Sequence, residues 1–206
     1  EDDVLVYNHQ DIEQSTTVNS EPSFSQNTSS LSLELHPAKA LNVDVGRDTD
    51  LGPELEKGYF AIANNSWAEA AISFQKMASR MPGDSAVFNN YGLSLLQRAI
   101  EMAKDGEESI QLMASSQFES AILALREAAK SDPDESIILL NLSHALLVSG
   151  RAEKALKIVQ VHNSRNPASL EGVNLEAAAL VSIGQSVNAK NLLSSHKGDS
   201  IIDENL

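Results

Sequence analysis

Five histidines and one small acidic cluster are the residues of this chain that could do chemistry. The sequence contains no cysteine, so a thiol nucleophile is excluded. The histidines are scattered, without metal-ligand spacing, at His9, His36, His144, His162 and His196. The cluster Asp105, Glu107 and Glu108 lacks the alternating oxygen ligands of a calcium loop, so we interpret it as charge at a helix start. Neither a glycine-rich phosphate loop nor a serine elbow motif occurs. The sequence therefore predicts a protein that is not an enzyme and needs no cofactor or metal.

Charge is divided unevenly along the 206 residues, whose formal net charge is -14. Residues 1–50 hold ten acids and two bases, whereas residues 51–206 hold nineteen acids and thirteen bases. Nucleic acid is excluded as an expected partner because its phosphates require a concentrated basic surface. No apolar run approaches the roughly 18 residues of a membrane-spanning helix, so we expect no membrane insertion by this segment. The chain begins at Glu1, which indicates a processed form or part of a longer protein, and both cytoplasm and periplasm are compatible with the composition.

Residues 1–50 are rich in polar side chains and predict an acidic, flexible N-terminal segment. Two short stretches interrupt it with apolar residues at every second position, at Leu31, Leu33 and Leu35 and then at Leu41, Val43 and Val45. This alternation is typical of a β-hairpin, but an isolated two-stranded hairpin is marginal in water. If the stretches order, we expect them to lie on the helical part of the chain or on a partner's sheet edge.

From residue 51 onward a spacing recurs about every 34 residues, which is the length of a helix hairpin and not of a single helix. It consists of a small residue, an alanine twelve positions later, a bulky apolar residue four further on, and a proline after eight more. Two units show it in full, at Gly58, Ala70, Phe74 and Pro82, and at Ser143, Ala155, Val159 and Pro167. In the first unit the pattern predicts helices over 54–64 and 67–80.

This spacing resembles that of the tetratricopeptide repeat family. The second unit fits the family pattern if an insertion is allowed between its helices, with Phe88, Tyr91, Gly92, Leu95, Ala121, Ala128 and Pro133. The resemblance implies an all-α solenoid of about four helix hairpins over 51–196, followed by a tail at 197–206. Small residues would let the helices of each hairpin approach closely, at Gly58, Gly92, Ser143 and Ala177 on first helices and at Ala70, Ala121, Ala155 and Ala189 on second helices.

The second unit departs from the pattern by about 17 extra residues, roughly 99–115. Asp105-Gly106 is typical of a turn, and the flanking sequence is free of helix breakers, so the insertion is predicted to lengthen both helices. The longer hairpin would project about 9 to 13 Å beyond its neighbours. Two interpretations remain open for its apolar positions: they cover one another, or they form an exposed tip that docks a partner. The positions are Ile100, Met102, Ala103, Ile110, Leu112 and Met113.

The family resemblance implies where a partner binds, because the first helices of successive repeats line a concave surface. The matching stripe is mostly apolar: Tyr59, Ile62, Asn89, Leu93, Leu96, Ile137, Leu140, His144 and Leu147. Such a stripe favours an amphipathic helix or an extended apolar peptide, including the chain's own N-terminal segment. Some family members clamp a C-terminal carboxylate with basic and amide side chains. At the corresponding Leu55, Tyr59, Asn90, Ile137 and Asn141 only Asn90 conforms, so no carboxylate clamp is expected.

We therefore predict a scaffold or adaptor that binds a protein partner without catalysis. The string from Asn89 to Leu96 is also similar to repeat proteins of bacterial pilus-assembly and secretion machinery, which suggests a role in assembling a larger complex. The alternative is a regulatory or anchoring segment of a larger enzyme or membrane protein. Self-association through the C-terminal repeat is a further expectation, because no proline or evident capping helix follows that repeat.

Overall fold

Helices account for all the regular secondary structure in the described part of the chain. The computed structural model describes residues 33–47 and 50–206, and no strand occurs among them. The helices are α1 (Gly52–Ala63), α2 (Trp67–Arg80), α3 (Ser85–Ala103), α4 (Glu108–Ser131), α5 (Ser136–Val148), α6 (Ala152–Arg165), α7 (Leu170–Ser182), α8 (Ser186–Ser194) and α9 (Ser200–Glu204).

The first eight helices pack as four consecutive hairpins. Within each hairpin the two helices contact each other, and the second helix also packs on the first helix of the next hairpin. Each hairpin therefore covers the apolar face of its neighbour, which is how a helical solenoid builds a continuous core. The all-α repeat fold predicted from the spacing is confirmed. No helix in the described residues is both long enough and apolar enough to cross a bilayer.

Close contact at the small residues holds the hairpins together, as the spacing predicts. A Cβ atom added to Gly58 would lie 2.8 Å from the ring of Phe74, and one added to Gly92 would lie 2.6 Å from Cγ of Leu125. In the third hairpin the Ser143 hydroxyl instead donates a 2.8 Å hydrogen bond to the carbonyl oxygen of Ala155. The absence of a larger side chain at these positions is thus a packing requirement of each hairpin.

We expect Gly92→Ala to destabilise the fold although alanine favours helix. The new methyl group would meet Leu125, which is fully buried, and would lie 3.2 Å from the main-chain oxygen of Ala121. Overpacking costs about 1–3 kcal/mol and the gain in helix propensity is about 1 kcal/mol, so unfolding in urea should show a net loss of up to about 2 kcal/mol.

The control is Gly106→Ala, because no atom lies within 4 Å of the added Cβ there. This variant should stay within about 0.5 kcal/mol of the unmodified protein. Equal stability of the two variants would show that the close approach at Gly92 is unimportant.

The second hairpin is elongated, which confirms the prediction from the insertion. Helix α3 has 19 residues and α4 has 24, compared with 13 in α5. The Asp105 carboxylate accepts a hydrogen bond from the Glu107 main-chain N–H, 2.9 Å away, which stabilises the turn between the helices. Exposure to solvent differs among its apolar positions: Ile100, Met102 and Ile110 are half-buried, whereas Ala103, Leu112 and Met113 are exposed. Mutual covering therefore describes the first three residues, and an exposed tip describes the other three.

Helix α9 covers the apolar end of the last hairpin, which the sequence did not predict. Asp199 caps α9 by accepting hydrogen bonds from the main-chain N–H groups of Ile201 and Ile202. Ile202 is fully buried and belongs to one apolar cluster with Val173 and Leu180 of α7. The expectation that no capping helix follows the fourth repeat is therefore wrong, and self-association through this end stays a prediction.

Candidate peptide-binding groove

Residues 33–45 run in an extended conformation across the first helices of the four hairpins. We call these residues the groove segment, and the surface of α1, α3, α5 and α7 beneath them the groove. No strand occurs over the described residues 33–47, so the predicted β-hairpin is wrong there, and Leu31 lies outside the described part. The apolar side chains at every second position instead face the helices, while the side chains between them face solvent. Half-buried side chains are Leu33, Leu35, Leu41, Val43 and Val45, and exposed ones are Glu34, Lys39, Asn42 and Asp44.

Asn90 of α3 binds both main-chain polar groups of Leu41. Its Oδ1 accepts from the Leu41 N–H at 2.7 Å, and its Nδ2 donates to the Leu41 carbonyl oxygen at 2.8 Å. An asparagine side chain that pairs in this way completes the hydrogen bonding of an extended residue much as a neighbouring β-strand would. Asn90 is fully buried, so loss of this pairing would leave buried polar groups without partners.

Asn141 of α5 repeats the arrangement two residues earlier in the segment. Its Oδ1 accepts from the Lys39 N–H at 3.0 Å, and its Nδ2 donates to the Lys39 carbonyl oxygen at 2.7 Å. That carbonyl also accepts from Nδ2 of Asn89 at 3.1 Å, and Asn89 Oδ1 accepts from Asn141 Nδ2 at 2.9 Å. Asn89, Asn90 and Asn141 thus form one buried network on two adjacent first helices.

The same kind of contact occurs near the start of the groove segment. Asn205, just after α9, accepts from the Glu34 N–H and donates to the Glu34 carbonyl oxygen, both at 2.8 Å. Asn174 of α7 donates to that carbonyl at 2.7 Å and accepts from Nδ2 of Asn205 at 2.7 Å. The segment therefore runs from the last hairpin toward the first, opposite to the order of the repeats.

Tyr59 of α1 completes the series at the other end. Its hydroxyl accepts from the Val43 N–H at 2.9 Å and donates to the Leu41 carbonyl oxygen at 2.6 Å. Burial raises the pKa of Tyr59 above its usual value, so the hydroxyl keeps the proton that it donates. All four hairpins hence contribute a polar side chain that binds the main chain of the segment.

Apolar side chains of the groove segment pack into three clusters on the helices. Val43 and Val45 pack with Tyr59 and Ile62 of α1, and Leu35 packs against the cluster of Leu140, Val159 and Leu175. Leu33 lies on the cluster that includes Ile202. The segment is thus ordered by apolar contact on one side and by amide hydrogen bonds along its length.

Two basic side chains of the segment lie close to acidic side chains, one in α7 and one at the start of α9. Nζ of Lys39 lies 2.5 Å from Oε1 of Glu171, and the hydrogen bond that it donates lowers the pKa of the Glu171 carboxyl. Nε2 of His36 lies 3.3 Å from Oδ1 of Asp199. The main-chain N–H of Ile202 and the charge of a protonated His36 both lower the pKa of Asp199. These acids lie at the end of the groove formed by the last hairpin.

His144 lies beneath the middle of the segment. It lines a small cavity together with Pro37 and Ala38 of the segment and with Leu140 and Leu175. Burial lowers the pKa of His144 to about 4, so the imidazole is neutral at pH 7. A buried neutral histidine here contributes to the groove wall and is not a charged contact for the segment.

The comparison with protein families agrees with the helix-hairpin fold. Residues 112–179 match the family model described as tetratricopeptide repeat, and this stretch runs from α4 through the third hairpin into α7. Over these residues the helix hairpins match tetratricopeptide repeats. A search of the curated proteins found no match. Tetratricopeptide repeats generally mediate protein–protein interaction and are typically not enzymatic. The described residues contain no group of three or more His, Cys, Asp or Glu side chains placed to hold a metal.

The predicted groove residues lie on the first helices of the hairpins, and their surroundings differ. The structure brings six of them to the groove segment or its apolar clusters: Tyr59, Ile62, Asn89, Leu140, His144 and Leu147. For the other three the structure gives only their burial. Leu93 and Leu96 are buried in α3, and Ile137 is half-buried in the first turn of α5.

Sequence reasoning missed the amides that contact the segment most directly. Asn90 and Asn141 were considered only for a carboxylate clamp, but both bind main-chain groups inside a continuous chain. A signal was available, because each stands two residues before the small residue of its repeat, at Gly92 and Ser143. Asn205 carries no such signal, since it lies outside the repeat spacing.

Proposed function

We propose that this chain is a non-enzymatic scaffold whose groove binds a segment of a partner protein in an extended conformation. The single observation that carries the proposal is the pairing of Asn90 with both the N–H and the carbonyl oxygen of Leu41. Such pairing requires a peptide whose main-chain groups are free. In an α-helix those groups are bonded to each other, so an extended peptide fits the groove and an amphipathic helix does not.

Main-chain recognition would let the groove accept more than one sequence. The amides of Asn90, Asn141 and Asn205 contact atoms that every residue except proline possesses. Alternate side chains of the ligand supply the remaining selectivity by apolar packing, as in other extended-peptide sites. The groove segment is then the intramolecular occupant of a site that also serves a partner.

Weakening the groove segment should expose this site to a peptide in solution. In the 206-residue chain, Leu41→Pro with Val43→Pro removes the N–H groups that donate to Asn90 and Tyr59. We expect this chain to bind a fluorescein-labelled peptide of residues 33–47 at least about tenfold more tightly than the unmodified chain, whose tethered segment competes at high effective concentration. Fluorescence anisotropy measures the binding.

Two variants make this test specific. Asn42→Pro is the matched control, because Asn42 is exposed and its N–H makes no hydrogen bond in the described structure; it should bind the peptide as weakly as the unmodified chain. Adding Asn90→Leu to the double-proline chain should abolish binding. If the double-proline chain keeps its helicity by circular dichroism but binds no peptide, the proposed function is wrong.

A further inference from the structure

The charges around the groove indicate which partner segments it selects. Glu171 and Asp199 stand at one end of the groove, and each faces a basic side chain of the groove segment, Lys39 and His36 respectively. The main-chain contacts are insensitive to sequence, so these two acids are the places where a charged side chain of the ligand is recognised.

The groove segment fits one of these places incompletely. Nε2 of His36 is buried and makes no hydrogen bond, although Asp199 lies 3.3 Å away. Pro37 and His144 line a small cavity beside it. A longer cation, such as arginine, would carry donors that an imidazole lacks. A partner with such a side chain would compete well with the segment.

The register of the segment shows that the recognised stretch lies inside a chain. Both the N–H and the carbonyl oxygen of Glu34 are bonded, and the chain continues beyond residues 33 and 45. The contacts engage peptide groups throughout, and none of them requires a chain terminus.

We propose that the partner is an internal, extended protein segment with basic side chains at the positions of His36 and Lys39 and apolar side chains at those of Leu41 and Val43. It displaces the groove segment and runs in the same direction, with its basic residues toward α7 and α9. This inference rests on the proposed function and adds the chemical class of the ligand.

Peptide variants and the double-proline chain test the inference. Relative to the 33–47 peptide, His36→Arg should bind about threefold more tightly and Lys39→Glu about tenfold more weakly, as expected for gain of one ion pair and reversal of another at partly exposed sites. Glu171→Lys in the chain should reverse the second preference. The Asn42→Lys peptide is the control for general attraction to an acidic protein and should bind like the parent peptide.

The outcomes separate the two proposals. If all peptides bind equally, main-chain recognition stands and the selection of basic segments is overturned. If no peptide binds, the proposed function itself fails. If light scattering shows the unmodified chain as a dimer that excludes every peptide, the occupant is the segment of a second copy, which also overturns the inference.

Discussion

Replacing Asn90 and Asn141 together with leucine will release the groove segment while the helix hairpins stay folded. The two amides make four hydrogen bonds to the main chain of Leu41 and Lys39. Each such bond contributes about 0.5–1.5 kcal/mol net, so their joint loss removes about 2–6 kcal/mol that holds the segment on the helices. Leucine has the same branching and the same number of side-chain heavy atoms as asparagine and is apolar, so we expect the buried helices themselves to lose little.

Hydrogen exchange followed by mass spectrometry or NMR measures this release. Protection of the Lys39 and Leu41 amides should fall by about a hundredfold or more, while amides within α5 and α6 keep theirs. Asn191→Leu on the exposed face of α8 is the matched control and should leave every rate unchanged. Retained protection at Lys39 and Leu41 in the double variant would mean that apolar contacts alone hold the segment.

The fold was predictable because it depends on a few small residues at fixed spacing. Gly58 and Gly92 sit against Phe74 and Leu125 at distances that admit no side chain, and this requirement is visible in the sequence as a recurring small residue. The insertion in the second hairpin was predictable for a similar reason, since helix formers on both sides of Asp105 leave elongation as the simple solution. Helix α9 was not predictable, because a five-residue helix owes its order to the burial of Ile202.

The site was only partly predictable because two distant stretches of chain create it. The period-2 alternation of Leu33 and Leu35 indicates an extended segment with one covered face, but it does not tell a strand partner from a helical surface. Only the structure shows that amides replace the second strand, with Asn90 and Asn141 bonding the main chain in its place. The apolar character of the stripe favours Leu93 and Leu96, which are buried in α3, over Asn90 and Asn141.

Acidification will destabilise this protein through His144. The pKa of His144 is lowered from 6.5 to about 4 in the folded chain by burial. Between these values the unfolded chain binds more protons than the folded one, so the free energy of unfolding falls as the pH falls. The loss begins near pH 6.5 and is complete near pH 4, where it reaches about 3 kcal/mol.

His144→Leu isolates this effect, because leucine matches the apolar neighbours Leu35, Leu140 and Leu175 and does not titrate. Urea unfolding at several pH values between 7 and 4 should show the variant losing about 3 kcal/mol less stability than the unmodified protein over that range. The carboxylates of Glu171 and Asp199, whose pKa values are lowered, lose their contribution as the pH falls through those values. Both carboxylates are present in the two proteins, so the difference between the two pH profiles reports on His144. Parallel profiles would show that the imidazole is solvated in the folded state and that the groove segment does not seal it from water.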